Sequence, residues 1–327
     1  MKHRMLLIVA LVVLLVAAGC VMVTPTPAPE VAAPEGEAQE FTIGVANFVL
    51  GAPYFVAMSD AAEEEGAFFE NVTVTTTDGQ GDAEKMTSDV EDLIAKGADG
   101  ILINAGPIEA LPAALDAIQE AGIPVVMVDR LLEGGEYNSW IGPDNYLIGV
   151  QDGQYIVDRL GGEGLLVNIR GGPADNTIGL ARTNGMLSVV EQSNIEVVMA
   201  PDFGGWSEDG GFTIMEDMLA VHDNIDVVFC ENDSMCLGAQ KAIEDAGRSE
   251  EMFLCGVDGQ KEALKAIMDG TNYACTGKND SDEIGRAGFH RLMAILAGAT
   301  PEKDTVLPSP LITIDNACQY YNPDSLF

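Results

Sequence analysis

Tyr54 and Phe55 follow a short apolar run, and Asp129-Arg130 closes another. Trp206, Asn232 and Asp258 stand just beyond three more, while Arg182 lies in a helix start after Gly171-Gly172. Aromatic rings offer flat apolar faces, whereas carboxylates, amides and guanidinium groups offer directional, sometimes bidentate, hydrogen bonds. Together they suit a ligand with apolar C–H faces and a rim of hydroxyls, which is the description of a sugar. Asp129 and Asp258 offset Arg130 and Arg182, so the set is near neutral and favours an uncharged ligand. Arg170 and Lys278 also fall at or near strand ends, and if both faced the cleft an acidic sugar would fit as well. Each residue has a plainer reading, as core or surface aromatic, solvated pair, helix surface or turn former. Their joint recurrence at strand ends is what favours a site.

The elements that position them follow one grammar, clearest in Asp226–Ala246, DVVFCENDSMCLGAQKAIEDA. Val227-Val228-Phe229 reads as a buried parallel strand, apolar on both faces. Glu231-Asn232-Asp233 is polar, and a helix follows, capped by Ser234 or Asp233. The polar trio therefore sits past the carboxyl end of a strand, where open α/β sheets bind ligands. The same strand-to-helix unit recurs from Phe41 through Asp129-Arg130 and restarts after Gly142-Pro143. The predicted strands include 41–49, 72–77, 100–104, 124–128, 165–169, 196–199, 253–257, 273–276 and 311–314, with helices between them. Such alternation predicts an α/β protein with parallel sheets covered on both faces. A single closed barrel is the rival, with every site on one rim. The restart favours two doubly wound lobes.

Composition bounds the rest. Lys2-His3-Arg4 followed by apolar Met5–Val16 reads as a secretion signal, because a bilayer span needs roughly 20 apolar residues. Ala17-Ala18-Gly19 ahead of Cys20 resembles a lipoprotein cleavage box, so 1–19 is expected to be removed and Cys20 lipidated. Residues 20–40, rich in Pro, Ala, Thr and Glu, read as a disordered tether. Sixteen Lys and Arg against 52 Asp and Glu give a net charge of −36, which argues against a nucleic-acid partner. Five further cysteines, Cys230, Cys236, Cys255, Cys275 and Cys318, lack CxxC spacing and read as buried thiols, with one disulfide allowed outside the cytoplasm. The histidines form no cluster for zinc. Gly79-Gln80-Gly81 is a lone GxG, and neither GxSxG nor a Walker-type loop is present, so no cofactor and no catalysis are expected.

With these residues placed, the chain from about Phe41 to Tyr321 resembles the periplasmic solute-binding proteins of ribose-binding type, which serve ABC importers. The resemblance rests on APYF at 52–55, VDR at 128–130, END-x-M-x-LGA at 231–239 and GVDG at 256–259. It implies the type I fold, two lobes joined by a three-segment hinge. The first lobe would hold 41–142 and 279–308, the second 143–278 and 309–327. It further implies that Tyr54, Phe55 and Trp206 stack on sugar and that Asp129, Arg130, Arg182, Asn232 and Asp258 hydrogen-bond it. The family's Gln after the strand at 273–276 is replaced here by Lys278 or Asn279, with one apparent extra residue between. The function implied is capture of a pentose or hexose by a lipid-anchored monomer outside the cytoplasm and its delivery to an ABC permease. Three alternatives stand beside it. A receptor reporting to a chemoreceptor or sensor kinase would look the same in sequence. A LacI-type regulator core would need a basic headpiece, and an exported enzyme would need a nucleophile–base set.

Overall fold

The computed structural model describes residues 39–104, 106, 112–131, 136–172 and 178–327. The expected signal and lipidation site, and the tether up to residue 38, lie outside the described residues.

The first sheet is built from β1 (Phe41–Asn47), β2 (Val72–Asp78), β3 (Gly100–Asn104), β4 (Val125–Val128), β5 (Ser139–Pro143) and β11 (Asp304–Leu307). Its order is β11-β5-β4-β3-β1-β2, and every pairing is parallel. The second holds β6 (Glu163–Arg170), β7 (Asn194–Phe203), β8 (Val227–Cys230), β9 (Phe253–Asp258), β10 (Tyr273–Lys278) and β12 (Leu311–Thr313). Its order is β12-β10-β9-β8-β6-β7, with only the edge strand β12 antiparallel. Leaving the late edge strands aside, both sheets run second-first-third-fourth-fifth in chain order. Each therefore reverses direction of growth beside its first strand, the place where doubly wound sheets open a crevice at their carboxyl ends. Two separate open sheets exclude the single closed barrel.

The central strands are buried on both faces because helices cover both. GILIN in β3, VVFC in β8 and FLCGVD in β9 are buried throughout, as continuous apolar runs in parallel sheets should be. The first sheet is covered by α1 (Pro53–Ala67), α2 (Ala83–Ala95), α3 (Pro112–Ala121) and α9 (Ser281–Leu296). In α2, Met86, Val90 and Leu93 share one buried face, and the Asp82 carboxylate accepts the Lys85 N–H at 2.8 Å to cap its start. The second sheet is covered by α4 (Asn145–Leu160), α5 (Gly179–Val190), α6 (Glu208–Val221), α7 (Asp233–Asp245) and α8 (Lys261–Met268).

The chain passes between the sheets three times, after β5, after β10 and between β11 and β12. Helix α9 returns to the first lobe, where Ile284, Phe289 and Leu292 share a core with Ile43, Leu102 and Val126. Phe327, expected with the second lobe, packs into this same first-lobe core. Two disulfides, Cys230–Cys236 and Cys255–Cys275, stand where buried thiols are predicted. Cys255 and Cys275 lie directly opposite on adjacent parallel strands, and Cys318 is free and exposed. Among the described residues no helix is long and apolar enough to cross a membrane.

Candidate binding site

Between the carboxyl ends of the two sheets lies a cavity of about 340 Å³, inside the roughly 300–1,000 Å³ range of small-molecule sites. Tyr54, Phe55, Asp129 and Arg130 line it from the first lobe. Arg182, Trp206, Asn232 and Asp258 line it from the second, and Asn279 from the crossover after β10. Lys278 does not. Strand β10 extends to Lys278, two residues beyond the predicted end, and successive strand side chains point to opposite faces. Lys278 thus turns into a neighbouring cavity, ion-paired with Glu283, and Asn279 takes the cleft position. Arg170 is likewise turned away, donating to the Ala200 carbonyl at 3.0 Å with its guanidinium over the Phe203 ring. Neither of the two cations that would have favoured an acidic sugar lines the cavity.

Pro53 at the first turn of α1 sets the helix direction that brings Tyr54 and Phe55 to the cleft. The Tyr54 hydroxyl donates to Asp129 at 2.8 Å, and the two rings meet edge to face at 5.4 Å. Burial, then the neighbouring Asp129 charge, holds the Tyr54 hydroxyl well above its ordinary pKa, so it stays a donor. The Asp129 loop is tied down by its own N–H on the Ile141 carbonyl and by the Trp140 indole on its carbonyl at 3.1 Å.

In the second lobe Arg182, 2% exposed, is the central cation. Its Nε donates to Asn145 at 2.9 Å, a terminal nitrogen donates to the Glu231 carbonyl at 2.6 Å, and the other pairs with Asp258 at 3.1 Å. Asp258 also accepts from the Asn279 amide at 3.2 Å. Burial raises the Asp258 carboxyl to about 6, with Arg182 and Asn279 working against that rise. The Asn279 side-chain oxygen is fully buried with no hydrogen-bond partner among the described residues, while the residue itself lines the cavity.

Asn232 caps α7, its side-chain oxygen accepting the Met235 N–H at 3.0 Å. The predicted cap, Asp233 or Ser234, is therefore corrected. The Asp233 carboxylate is taken instead by the Gly259 and Gln260 N–H groups, both at 2.8 Å, and by the Tyr273 and Thr276 hydroxyls. Behind the cleft, it ties α7 to the loop that follows Asp258 at the end of β9. The Trp206 ring lies on the backbone of Gly171, where an added Cβ would come within 2.1 Å of it, so only glycine admits the ring.

Four described non-glycine residues have positive φ, and three of them line the cavity: Asp129 at 63°, Trp206 at 61° and Asp258 at 126°. Such conformations cost roughly 1–3 kcal/mol each and persist where surrounding structure imposes them, as at ligand clamps. Phe327, Asn145 and Tyr273 are absent from the expected site, and Asp233 is expected only as a helix cap and one of the polar trio. Phe327 lines the cavity directly, Asn145 braces Arg182, and Asp233 and Tyr273 bond each other behind the cavity. The one described group with metal-ligand spacing is Asp152 with Cys255 and Cys275, and its two sulfurs are joined to each other.

Comparison with known proteins agrees with this architecture. Residues 43–300 match the model of the periplasmic binding protein domain. The ribose import binding protein of Bacillus subtilis strain 168 is 33% identical over 280 residues, 85% of this chain and 89% of that protein. An ABC transporter solute-binding protein from Mycobacterium smegmatis, solved with bound glycerol, aligns with a TM-score of 0.81 at 30% identity, over 88% of this chain and 98% of that one. One from Bacillus halodurans C-125, solved with bound myo-inositol, gives 0.79 at 25% identity, over 87% and 98%. The chain belongs to the periplasmic binding proteins, in the ribose-binding type of the ABC importers.

Proposed function

We propose that this chain captures a neutral monosaccharide, or a ring or chain polyol of similar size, between its two lobes and delivers it unchanged to an ABC permease. The observation that carries the reading is the convergence of stacking rings and a charge-balanced hydrogen-bonding set, from both lobes, on one cavity. Asp129 and Asp258 accept from ligand hydroxyls, Arg130, Asn232 and Asn279 add directional contacts, and Phe55 and Trp206 cover the C–H faces. Arg182 holds Asp258 in place. Hinge closure follows from these contacts, since a ligand touching both lobes favours the conformation that brings them together. Relatives named for ribose and xylitol, and structures holding myo-inositol and glycerol, support a neutral polyhydroxyl ligand. Cys20 is the lipid anchor in this reading, and Cys20→Ala should release the protein from the membrane fraction.

Thermal-shift screening of the purified protein against pentoses, hexoses, inositols, polyols and uronic acids tests it. A few neutral ligands should raise the melting temperature, increasingly with concentration. Stabilisation by uronates alone would replace the neutral ligand with an acidic one.

A further inference from the structure

Beside the binding cavity lies a second one of about 500 Å³, reached by Lys278, Arg286, Tyr320 and Asn322. Among the described residues only Asp258 and Phe327 line both. These two side chains are the partition. Asp258 is fixed by Arg182 and Asn279 and belongs to the hydrogen-bonding set. The Phe327 side chain offers no hydrogen bond. Its ring meets Tyr54 edge to face at 5.2 Å and is 8% exposed, packed among first-lobe residues.

The segment bearing Phe327 is held from the opposite lobe. After β12, Lys261 at the start of α8 donates to the Ser325 carbonyl, and the Phe327 N–H donates to the Ser325 hydroxyl at 3.3 Å. The ring is thus delivered to the partition by a strap whose backbone is anchored on second-lobe α8, while its face rests on the first-lobe aromatic Tyr54. The chamber behind it is lined by charged Lys278, Asp282, Glu283 and Arg286 as well as Asn322 and Ser325, groups able to donate to and accept from hydroxyls.

We infer that Phe327 sets the length of ligand this protein accepts: the ring walls the cleft to one sugar unit, and removing it joins the cavities so that a second unit fits. The inference rests on the sugar-binding reading above. It makes Phe327 a specificity residue that acts by excluding volume, with no hydrogen bond to the ligand.

Calorimetric titration of the full chain and its F327A variant tests it, with D-ribose, D-allose and myo-inositol as single-ring probes and sucrose, maltose, lactose and trehalose as two-ring probes. The wild type should bind a single-ring probe and reject the disaccharides. F327A should shift the ratio of disaccharide to single-ring affinity upward by at least about tenfold for one of them. F327L, which keeps part of the bulk, should fall between, and it carries the test alone if F327A does not fold. An unchanged ratio in a folded variant overturns the inference, as does a wild type that binds disaccharides as well as single rings. If the wild type binds none of the single-ring probes and no other neutral sugar or polyol in the thermal screen, the binding reading itself has failed and this one falls with it. A crystal structure of F327A with two cavities still separate also overturns it.

Discussion

Arg182 and Arg130 stand on opposite walls of one cavity and are held very differently. Arg182 is sunk in the second lobe on Asn145, the Glu231 carbonyl and Asp258. Arg130 is half-buried on a short loop after β4. Around Arg182, Asp233 ties the start of α7 to the loop after β9, and both disulfides lie in this lobe. One flanks Glu231 and Asn232 by joining Cys230 to Cys236. The other joins β9 to β10, the strands that lead into Asp258 and Asn279. The first-lobe wall has aromatic rings, the Tyr54–Asp129 bond and no described disulfide. Hydrogen bonds fix residues on both walls, and among the described residues disulfides tie only the second.

The sharpest way to break this contrast is Arg182→Ala. It leaves Asp258 buried without its cation and should cost about 3–5 kcal/mol of stability, read by chemical denaturation, with binding lost as well. A loss near zero would show that the wall does not depend on it. Arg130→Ala should weaken sugar affinity by about 2–5 kcal/mol in calorimetry and, at a half-buried position, shift stability less than Arg182→Ala does. Equal effects of the two substitutions on stability would erase the distinction. Replacing either cysteine pair by alanine should lower stability by about 2–4 kcal/mol, and a reductant should destabilise the wild type but not the variant lacking both pairs.

The smallest expected effect is that of pH. Asp258 titrates at about 6 and Asp233 at about 7, both raised chiefly by burial. A carboxyl that binds its proton more tightly folded than unfolded favours the folded state below its ordinary pKa, and this support fades as pH rises through the folded value. The ligand-free protein should therefore melt at a higher temperature at pH 5 than at pH 8. Sugar affinity should move the other way, falling by up to about tenfold per pH unit below 6 as Asp258 loses the charge that accepts hydroxyls.

What could be read from the sequence follows from burial. Central strands such as β3, β8 and β9 are apolar throughout because helices cover both faces, so their runs are visible at once. Strand β11, DTVL at an edge with alternate residues exposed, carries no such signature and was not predicted. Asp233 looks like a helix cap locally, but partners some 26 to 43 positions away claim its carboxylate and leave the cap to Asn232. The choice between Lys278 and Asn279 turned on the strand's length, since one more residue reverses which face a side chain takes. Nothing near Phe327 marks it; its place is set wholly by the path of the strap. The Cys255–Cys275 pair became legible only once the strand register set the two opposite each other.

The interleaving of the two sheets bears on how the polypeptide is made. The lobe begun first is finished last: its edge strand comes from 304–307, and α9, which covers Ile43, Leu102 and Val126, from 281–296. Until nearly all of the polypeptide has emerged, that early half keeps a greasy flank uncovered, an invitation to wrong partners. A truncated product stopping before residue 280 should accordingly be sticky and short-lived, however sound its later half.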